Sequence, residues 1–401
     1  MKKIVFIILI SSLISPLFSQ DKGVFIERKN ETWDKIQETI KKEDDVKSTP
    51  KKAFIPDFDK IKIPTLDDFK PTWHNPPVMQ ASTNTCWSFS ATSFFESEIY
   101  RLTKKEIKLS EMFTVYHEYL DRVSEFVKTR GTSYFAEGSQ ANALRRIYRK
   151  YGCVPHNFYP GKPAEKTYHD HSKMHNELDT YLKFIKEKNI WNLNEVLANV
   201  KSILNYYLGV PPEKFPYNGK IITPKEFMES EAKLVVDDYV DILSLLEYGY
   251  YKQVEYDVPD NWWNDNSFYN VPLDEYMKYL RNAITNGYTV AIGGDVSEAG
   301  LYSYKDAAII PSFDIPSQFI DENARQFRFS NGTTTDDHGI HIVGITQKDG
   351  AYWYLIKDSG SGAQNGNAKG YYFYREDYIK LKMMSYLIHK DAVKDLLIKF
   401  K

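Results

Sequence analysis

Apolar residues recur at helical spacing through most of the first half of the chain. Residues 87–102, 109–126 and 140–150 each carry this pattern and are predicted to be helices, the third ending before Gly152 and Pro155 as helices often do. Two further helical faces are formed by Met174, Leu178, Leu182 and Ile185 and by Val196, Val200, Leu204 and Leu208. We therefore predict a mainly helical first half.

The pattern changes after a last helical segment at residues 273–286. Short runs of β-branched, aliphatic and aromatic residues, bounded by Gly, Asp and Asn, then occur at residues 288–292, 338–344, 352–357 and 370–374. The stretch rich in Tyr, Trp and Pro before them has too weak a periodicity to predict its structure. A helical first half and a strand-rich second half favour an α+β fold with two lobes.

The first 20 residues have the layout of a secretory signal peptide. Lys2 and Lys3 precede an apolar run that is too short to span a membrane, and small and polar residues follow it. Residues 21–70 are charged and punctuated by prolines, with a helical candidate at residues 31–42, which predicts an N-terminal arm or pro-segment. We expect a protein that is exported to the periplasm or the extracellular space and has no stable membrane anchor.

The composition limits the classes of partner. Of the 401 residues, 42% are hydrophobic and 15% aromatic, which is enough for a large core. The 52 basic and 54 acidic residues nearly cancel, so there is no electrostatic reason to expect binding to nucleic acid. A globular protein that acts on other molecules is therefore favoured.

Cys86 has the strongest chemical context in the chain. It lies at the start of the predicted 87–102 helix, and a helix N-terminus and a nearby histidinium both favour a reactive thiolate. A disulfide with Cys153, the other cysteine of the chain, is the alternative. Among nine histidines, His338 begins an apolar strand, while His341, three positions on, must point to the opposite face of that strand.

Two more residues complete a plausible set for acyl transfer. Asp358 ends the next predicted strand and could orient the imidazole of His338 by accepting its other N–H. Gln80 could donate its side-chain N–H to a developing oxyanion, together with the backbone N–H of Cys86. These residue types permit catalysis by a thiol nucleophile.

A histidine-rich segment offers a competing site. His169, His171 and His175 lie close in sequence, and the last two are four positions apart, as metal ligands on one helix face can be. The segment lacks the glutamate of the HExxH motif, and it has the polarity of an exposed helix start. We therefore expect neither a metal nor an organic cofactor.

Three ordered segments resemble the active-site segments of papain-like cysteine peptidases, family C1. QASTNTCWSFS, residues 80–90, resembles the cysteine segment of that family, and HGIHIVG, residues 338–344, resembles its histidine segment. YWYLIKDSGSG and GYYFYR, residues 352–362 and 370–375, resemble its asparagine segment and the strand that follows. Residues 108–127, 136–160, 208–217, 222–228 and 286–296 resemble the bleomycin hydrolase and aminopeptidase C branch.

The resemblance implies a papain-like two-lobe fold with helical insertions, and a role for each matched residue. Cys86 stands at the nucleophile, His338 at the base, Gln80 at the oxyanion-hole donor, and Asp358 where the family usually has asparagine. Contacts to the substrate are implied for Gly138, Asp337 and Trp87. The implied substrates are peptides or unfolded proteins, and the implied assembly is a homo-oligomer, a hexamer in that branch.

The resemblance also divides the chain. Residues 71–401 would form the peptidase domain, with a helical lobe at 71–160, a helical insertion at 161–285 and a β-rich lobe at 286–401. The function expected is that of an exported cysteine peptidase that forms an acyl-enzyme. The alternative is a catalytically inactive papain-like binding or scaffold protein.

Four departures from the family pattern bear on this expectation. Gly360 replaces the tryptophan that shields the catalytic hydrogen bond, and Thr83 replaces a half-cystine. The negative charge of Asp358 should raise the pKa of His338. The sequence ends soon after residue 397, before the arm that captures the substrate's amino terminus in bleomycin hydrolases, so both aminopeptidase and endopeptidase activity are expected alternatives.

Overall fold

The computed structural model describes residues 21–27, 29–40 and 52–400, and the predicted signal peptide lies outside these residues. The helices are α1 (Glu31–Ile40), α2 (Cys86–Thr103), α3 (Glu111–Lys128), α4 (Ala143–Tyr151), α5 (Ser172–Glu187), α6 (Leu193–Leu208), α7 (Pro224–Glu226), α8 (Leu273–Thr285), α9 (Glu322–Ser330), α10 (Glu376–Lys382) and α11 (Lys394–Leu397). The strands are β1 (Gly23–Glu27), β2 (Lys52–Pro56), β3 (Phe215–Tyr217), β4 (Lys220–Ile222), β5 (Tyr239–Leu243), β6 (Lys252–Val254), β7 (Phe268–Asn270), β8 (Val290–Gly294), β9 (Leu301–Tyr302), β10 (Ala307–Ala308), β11 (His338–Lys348), β12 (Ala351–Lys357), β13 (Tyr371–Arg375) and β14 (Met383–His389).

Ten of the described strands form one mixed sheet in the order β6-β7-β5-β14-β8-β11-β12-β13-β10-β9. Neighbours are antiparallel except in the pairs β5–β7 and β10–β13. His338, the first residue of β11, pairs with Gly294 of β8, and His341 pairs with Lys357 of β12. Because β11 and β12 run in opposite directions, the chain leaving Lys357 heads towards the His338 end of β11.

Helix α2 lies where two apolar clusters meet. One cluster joins α2 to α3, α4, α5 and α6, and the other fills the space between the large sheet, α8 and α10. Helix α2 also packs against β8 and β11, and all its residues from Trp87 to Ile99 are buried. The predicted α+β fold with two lobes is thus confirmed. Of the described helices, none combines the length and apolarity needed to cross a bilayer.

Periodicity located most helices to within a few residues. Helices α2, α3, α4 and α8 occupy the predicted segments, and the two predicted faces that contain Met174 and Val196 are the buried faces of α5 and α6. The four predicted strands correspond to β8, β11, β12 and β13. Burial of one helical face explains this success, because an amphipathic pattern records which side meets the core.

The description of residues 161–285 as helical needs correction. This segment contains α5, α6 and α8, but it also supplies β3 to β7, and β5 pairs with β14 inside the large sheet. Strand β14 itself was not predicted. Both β5 and β14 are buried along their whole length, so neither shows the alternation of polar and apolar residues that identifies a half-buried strand.

Part of the N-terminal segment 21–70 belongs to the folded body. Strands β1 and β2 pair, and Ile55, Phe58 and Phe69 are buried against apolar residues of β11, β12 and β13. Asn365 donates to Asn30 Oδ1 at 3.0 Å and so ties the start of α1 to the loop after β12. The three buried residues therefore belong to the core, although the sequence predicted a charged N-terminal arm or pro-segment there.

Candidate active site

Cys86 is the first residue of α2, the central helix of the molecule. Its side chain is partly buried, and its thiol is free. The 18 residues of α2 direct the positive end of a long helix dipole towards this position. A negative charge on the Cys86 sulfur would thus lie where a helix stabilises it.

A glycine lets the histidine strand approach this helix closely. A Cβ atom on Gly339 would lie 2.8 Å from Ser90 Oγ and 3.2 Å from Trp87 Cα, closer than real Cβ atoms normally approach. The absence of a side chain at residue 339 therefore allows β11 to touch the first turn of α2. As a result, Cys86 and His338 line the same cavity.

Asp358 lies against the His338 imidazole. The ring nitrogen Nε2 is 3.0 Å from Asp358 Oδ1 and 3.1 Å from Oδ2. Burial opposes a charge on His338, but the Asp358 carboxylate and a Cys86 thiolate outweigh it, and the pKa of His338 is raised well above its usual value of 6.5. The effect expected of aspartate in place of asparagine is thus present, because the Asp358 charge raises the pKa of His338 and so favours the imidazolium.

Gly360 stands where the resemblance led us to expect a tryptophan. Its backbone N–H donates to Asp358 Oδ1 at 2.5 Å, so the main chain holds the carboxylate that contacts His338. Trp33 of α1 lines a cleft of about 440 Å³ together with Gly360 and Gln80. The arm therefore contributes an aromatic side chain on this side of the site.

Gln80 is held rigidly beside the start of α2. Its Nε2 donates to the Thr83 carbonyl at 2.8 Å, and its Oε1 accepts from Ser359 Oγ at 2.7 Å. The hydroxyl of Thr83 contacts Gln80 O at 3.1 Å and Thr85 Oγ1 at 2.6 Å. Where the family places a half-cystine, this chain fixes the loop with hydrogen bonds, and one N–H of the Gln80 amide remains for another acceptor.

The three residues expected to contact substrate lie in different surroundings. Trp87 and Asp337 line the cavity that holds Cys86, and the Trp87 indole donates to the Glu137 carbonyl at 3.1 Å. Gly138 is beside the cavity but not among its lining residues, and its carbonyl accepts from Arg122.

His341 lies on the other side of β11, as the odd spacing from His338 predicted. It is fully buried, and its Nδ1 is 2.8 Å from Ser93 Oγ of α2. Lys357 donates to the same hydroxyl at 2.7 Å. Burial and the Lys357 charge lower the pKa of His341 well below its usual value, so this imidazole is neutral.

The competing assignments are not supported by the described residues. Cys86 and Cys153 are both free thiols, and Cys153 is fully buried, which raises its pKa far above the usual value. No group of three possible metal-ligating side chains forms within residues 21–27, 29–40 and 52–400. His171 pairs with Glu137 instead, and His175 stacks on Phe135 with a centroid distance of 5.5 Å.

Sequence reasoning missed the carboxylates around Cys86. Asp241, Asp260 and Asp336 all line the same cavity as Cys86 and His338. Burial raises the pKa of Asp336 to about 7, and the charge of Asp260 adds to this effect. Asp336 could have been noticed as the first aspartate of the sequence TTTDDHG, whereas Asp241 and Asp260 lie in stretches whose structure had no clear signal.

Several known proteins are similar to this chain over most of its length. Over 368 residues the chain is 21% identical to aminopeptidase C of Lactococcus lactis subsp. cremoris, which covers 80% of this chain and 82% of the relative. Aminopeptidase C of Lactobacillus helveticus is 23% identical over 368 residues, covering 79% of this chain and 80% of the relative. The crystal structure of PepW from Lactobacillus rhamnosis HN001 superposes with a TM-score of 0.64 at 19% identity, covering 82% of this chain and 85% of that one.

The likeness to PepW concerns the fold, which is that of papain-like peptidases. The sequence profile of the Peptidase C1-like family matches residues 70–400, nearly the whole of the described part of the chain. The predicted resemblance to the aminopeptidase C branch is thereby confirmed. The chain belongs to the Peptidase C1-like family and is a cysteine-type peptidase.

Proposed function

We propose that this protein hydrolyses peptide bonds with Cys86 as nucleophile and His338 as general acid and base. Asp358 would orient the imidazole and hold its charge, and Gln80 would donate to the oxyanion. The observation that carries the proposal is the pair formed by His338 and Asp358 at 3.0 Å, placed beside a free thiol at a helix N-terminus. This arrangement favours a thiolate next to an imidazolium, which is the reactive state of such a site.

The first half-reaction transfers the acyl group of the substrate to the enzyme. The Cys86 thiolate attacks the carbonyl carbon, and the oxygen gains the negative charge, which the Gln80 amide and the Cys86 backbone N–H stabilise. The carbon–nitrogen bond then breaks as His338 gives its proton to the departing amine. A thioester and a neutral imidazole remain.

The second half-reaction restores the enzyme. His338 accepts a proton from water, and the resulting hydroxide attacks the thioester carbon. The carbon–sulfur bond breaks, the carboxylic acid product leaves, and the thiolate–imidazolium pair is formed again. Each turnover consumes one water and one peptide bond, and the residues of this chain supply every proton transfer.

The substrates we propose are peptides or unfolded proteins. The names of the relatives favour removal of residues from the amino terminus, and internal cleavage is the other outcome to test. We also propose that the chain is exported, because its first 20 residues have the layout of a signal peptide. Assembly into a homo-oligomer stays a prediction, which light scattering of the purified protein would test.

Mass spectrometry of a diverse peptide pool tests the activity directly. The protein without its first 20 residues is incubated with the pool under reducing conditions, and the Cys86→Ala variant serves as the control. We expect cleavage by the native protein and none by the variant. Stepwise loss of residues from amino termini would identify an aminopeptidase, and internal cuts an endopeptidase. No cleavage by either protein would favour a papain-like binding protein without catalysis.

A further inference from the structure

The cavity beside Cys86 extends to the side of the site that carries Ser139 and Gln140. The neighbouring Gly138 is the residue for which the family resemblance implies pairing with the extended substrate, so this cavity faces residues before the scissile bond. Its free volume is about 30 Å³. A buried water needs roughly 10–15 Å³ on the same measure, so the innermost part admits a group about as large as one or two waters.

Four carboxyl groups line this cavity, together with the His338 imidazole. Asp241 forms an ion pair with Arg145 at 2.7 Å, so its charge is matched. Asp260, Asp336 and Asp337 also line the cavity, and none of the three forms an ion pair with another residue of the described ranges. The charges of Arg122 and His338 partly offset those of Asp260 and Asp337, whereas no positive charge lowers the pKa of Asp336. A bound cation would therefore reduce the cost of burying Asp336 as a carboxylate.

A second, uncharged group points into the same space. Ser385 is 6% exposed and lines the same cavity, and its hydroxyl takes part in none of the side-chain hydrogen bonds formed within the described residues. Ser385 Oγ lies 3.9 Å and Asp336 Oδ1 lies 3.2 Å from one point above Gly293, where a Cβ atom would be. The two oxygens therefore converge over a bare stretch of β8. Gln140 occupies only the other oxygen of Asp336, which leaves Oδ1 free to accept from a ligand.

We propose that this cavity binds a primary ammonium group of the substrate, on the amino-terminal side of the scissile bond, between Asp336, Asp260 and the Ser385 hydroxyl. The inference rests on the proposed peptidase function and specifies its substrate. An ammonium group has three N–H donors, which match two carboxylates and one hydroxyl, and its small size suits the free volume better than a guanidinium does. The ammonium could belong to a lysine side chain at the second residue before the scissile bond or to the free amino terminus of a short peptide.

Two matched pairs of fluorogenic substrates separate these sources. Acetyl-Lys-Ala-aminomethylcoumarin is compared with its norleucine analogue, which has a similar chain without the charge. Free Ala-Ala-aminomethylcoumarin is compared with its acetylated form. We expect the native protein to prefer the charged member of at least one pair by roughly tenfold to a hundredfold in kcat/KM, because a hydrogen bond to a charged group contributes about that much. Preference in the first pair identifies a lysine, and preference in the second identifies an amino terminus.

The variants Asp336→Asn and Asp260→Asn test the assignment to these carboxylates. Each variant should bring the ratio of kcat/KM for the charged substrate to kcat/KM for its neutral partner down towards one. The matched control is Asp395→Asn, which removes the same charge from an exposed residue outside the cavity and should keep the ratio of the native protein. No preference in an active native enzyme, or a preference that survives both cavity substitutions, would overturn the proposal.

Binding to the Cys86→Ala protein keeps this test independent of catalysis. Calorimetry with acetyl-Lys-Ala-amide, Ala-Ala-amide and their neutral analogues measures the same discrimination without turnover. Tighter binding of a charged member by the same factor, with no cleavage by the native protein, would refute the proposed peptidase function and support the cation site. Equal binding of both members in both pairs would refute the cation site.

Discussion

Replacing Asp358 with asparagine tests how this site keeps its imidazole charged. The two carboxylate oxygens lie 3.0 and 3.1 Å from His338 Nε2, and Asp358 is buried. An opposite charge within about 4–6 Å typically shifts a pKa by roughly 1–3 units, and one unit corresponds to about 1.4 kcal/mol. Asparagine keeps the hydrogen bond and loses the charge, so at the lower end of this range the imidazolium loses about 1.4 kcal/mol of stabilisation.

The sign of the pH effect follows from the direction of the pKa. The pKa of His338 is raised in the folded protein, so the imidazolium is present below that pKa and is lost as pH rises through it. A loss of about 1.4 kcal/mol corresponds to about one pH unit. We therefore expect Asp358→Asn to retain appreciable activity while the basic limb of its pH profile moves to lower pH by about one unit.

The assay is kcat/KM against pH for a peptide that the native protein cleaves. Asp358→Ala is the comparison, because alanine removes both the charge and the orienting hydrogen bond and should reduce activity at every pH. An Asp358→Asn profile that superposes on the native one would show that Asp358 does not set the charge on His338. Thermal unfolding of each variant checks that the fold is kept.

Two further substitutions test the packing that builds the site. Gly339→Ala places a Cβ atom 3.2 Å from Trp87 Cα. We expect urea unfolding to show a loss of stability of about 1–3 kcal/mol, and kcat to fall because His338 is displaced. A variant with the native kcat would show that this close approach is not needed. Phe58→Ala removes a buried ring of the N-terminal segment. We expect the free energy of unfolding, measured with urea, to fall by about 3–5 kcal/mol. An unchanged free energy of unfolding would mean that the segment is not part of the folded body.

The elements that sequence predicted well are those with one face in the core. Helices α5 and α6 show this clearly, because every predicted apolar position on them is buried and the pattern has no interruption. Cys86, His338 and Asp358 were singled out by residue type and context, and the resemblance of three segments then gave each a role. In the structure Cys86 and His338 line one cavity, and Asp358 contacts His338. Short motifs carry such information because the loop geometry and the chemistry depend on the same few residues.

Other parts depend on contacts that no local pattern records. Asp260 enters the cavity from a loop rich in Trp, Pro and Asp, and nothing in that loop indicates which side chain will face Cys86. The burial of Phe58 was hidden in the same way, because the highly charged composition of residues 21–70 outweighed a few apolar positions. Strand β14 shows no alternation of polar and apolar residues, because it is buried along its whole length between two neighbouring strands.

Strand β14 is the last of the described strands to be synthesised. This strand lies between β5 and β8, although more than a hundred residues separate β5 from it in the sequence. It also carries Ser385, which lines the cavity beside Cys86. While the ribosome still holds residues 383–389, β5 and β8 each lack one of their two neighbours in the sheet, and one wall of the cavity does not yet exist. A chain still held by the ribosome therefore cannot form the complete cavity, and we expect peptide cleavage to begin only after the whole chain has been released.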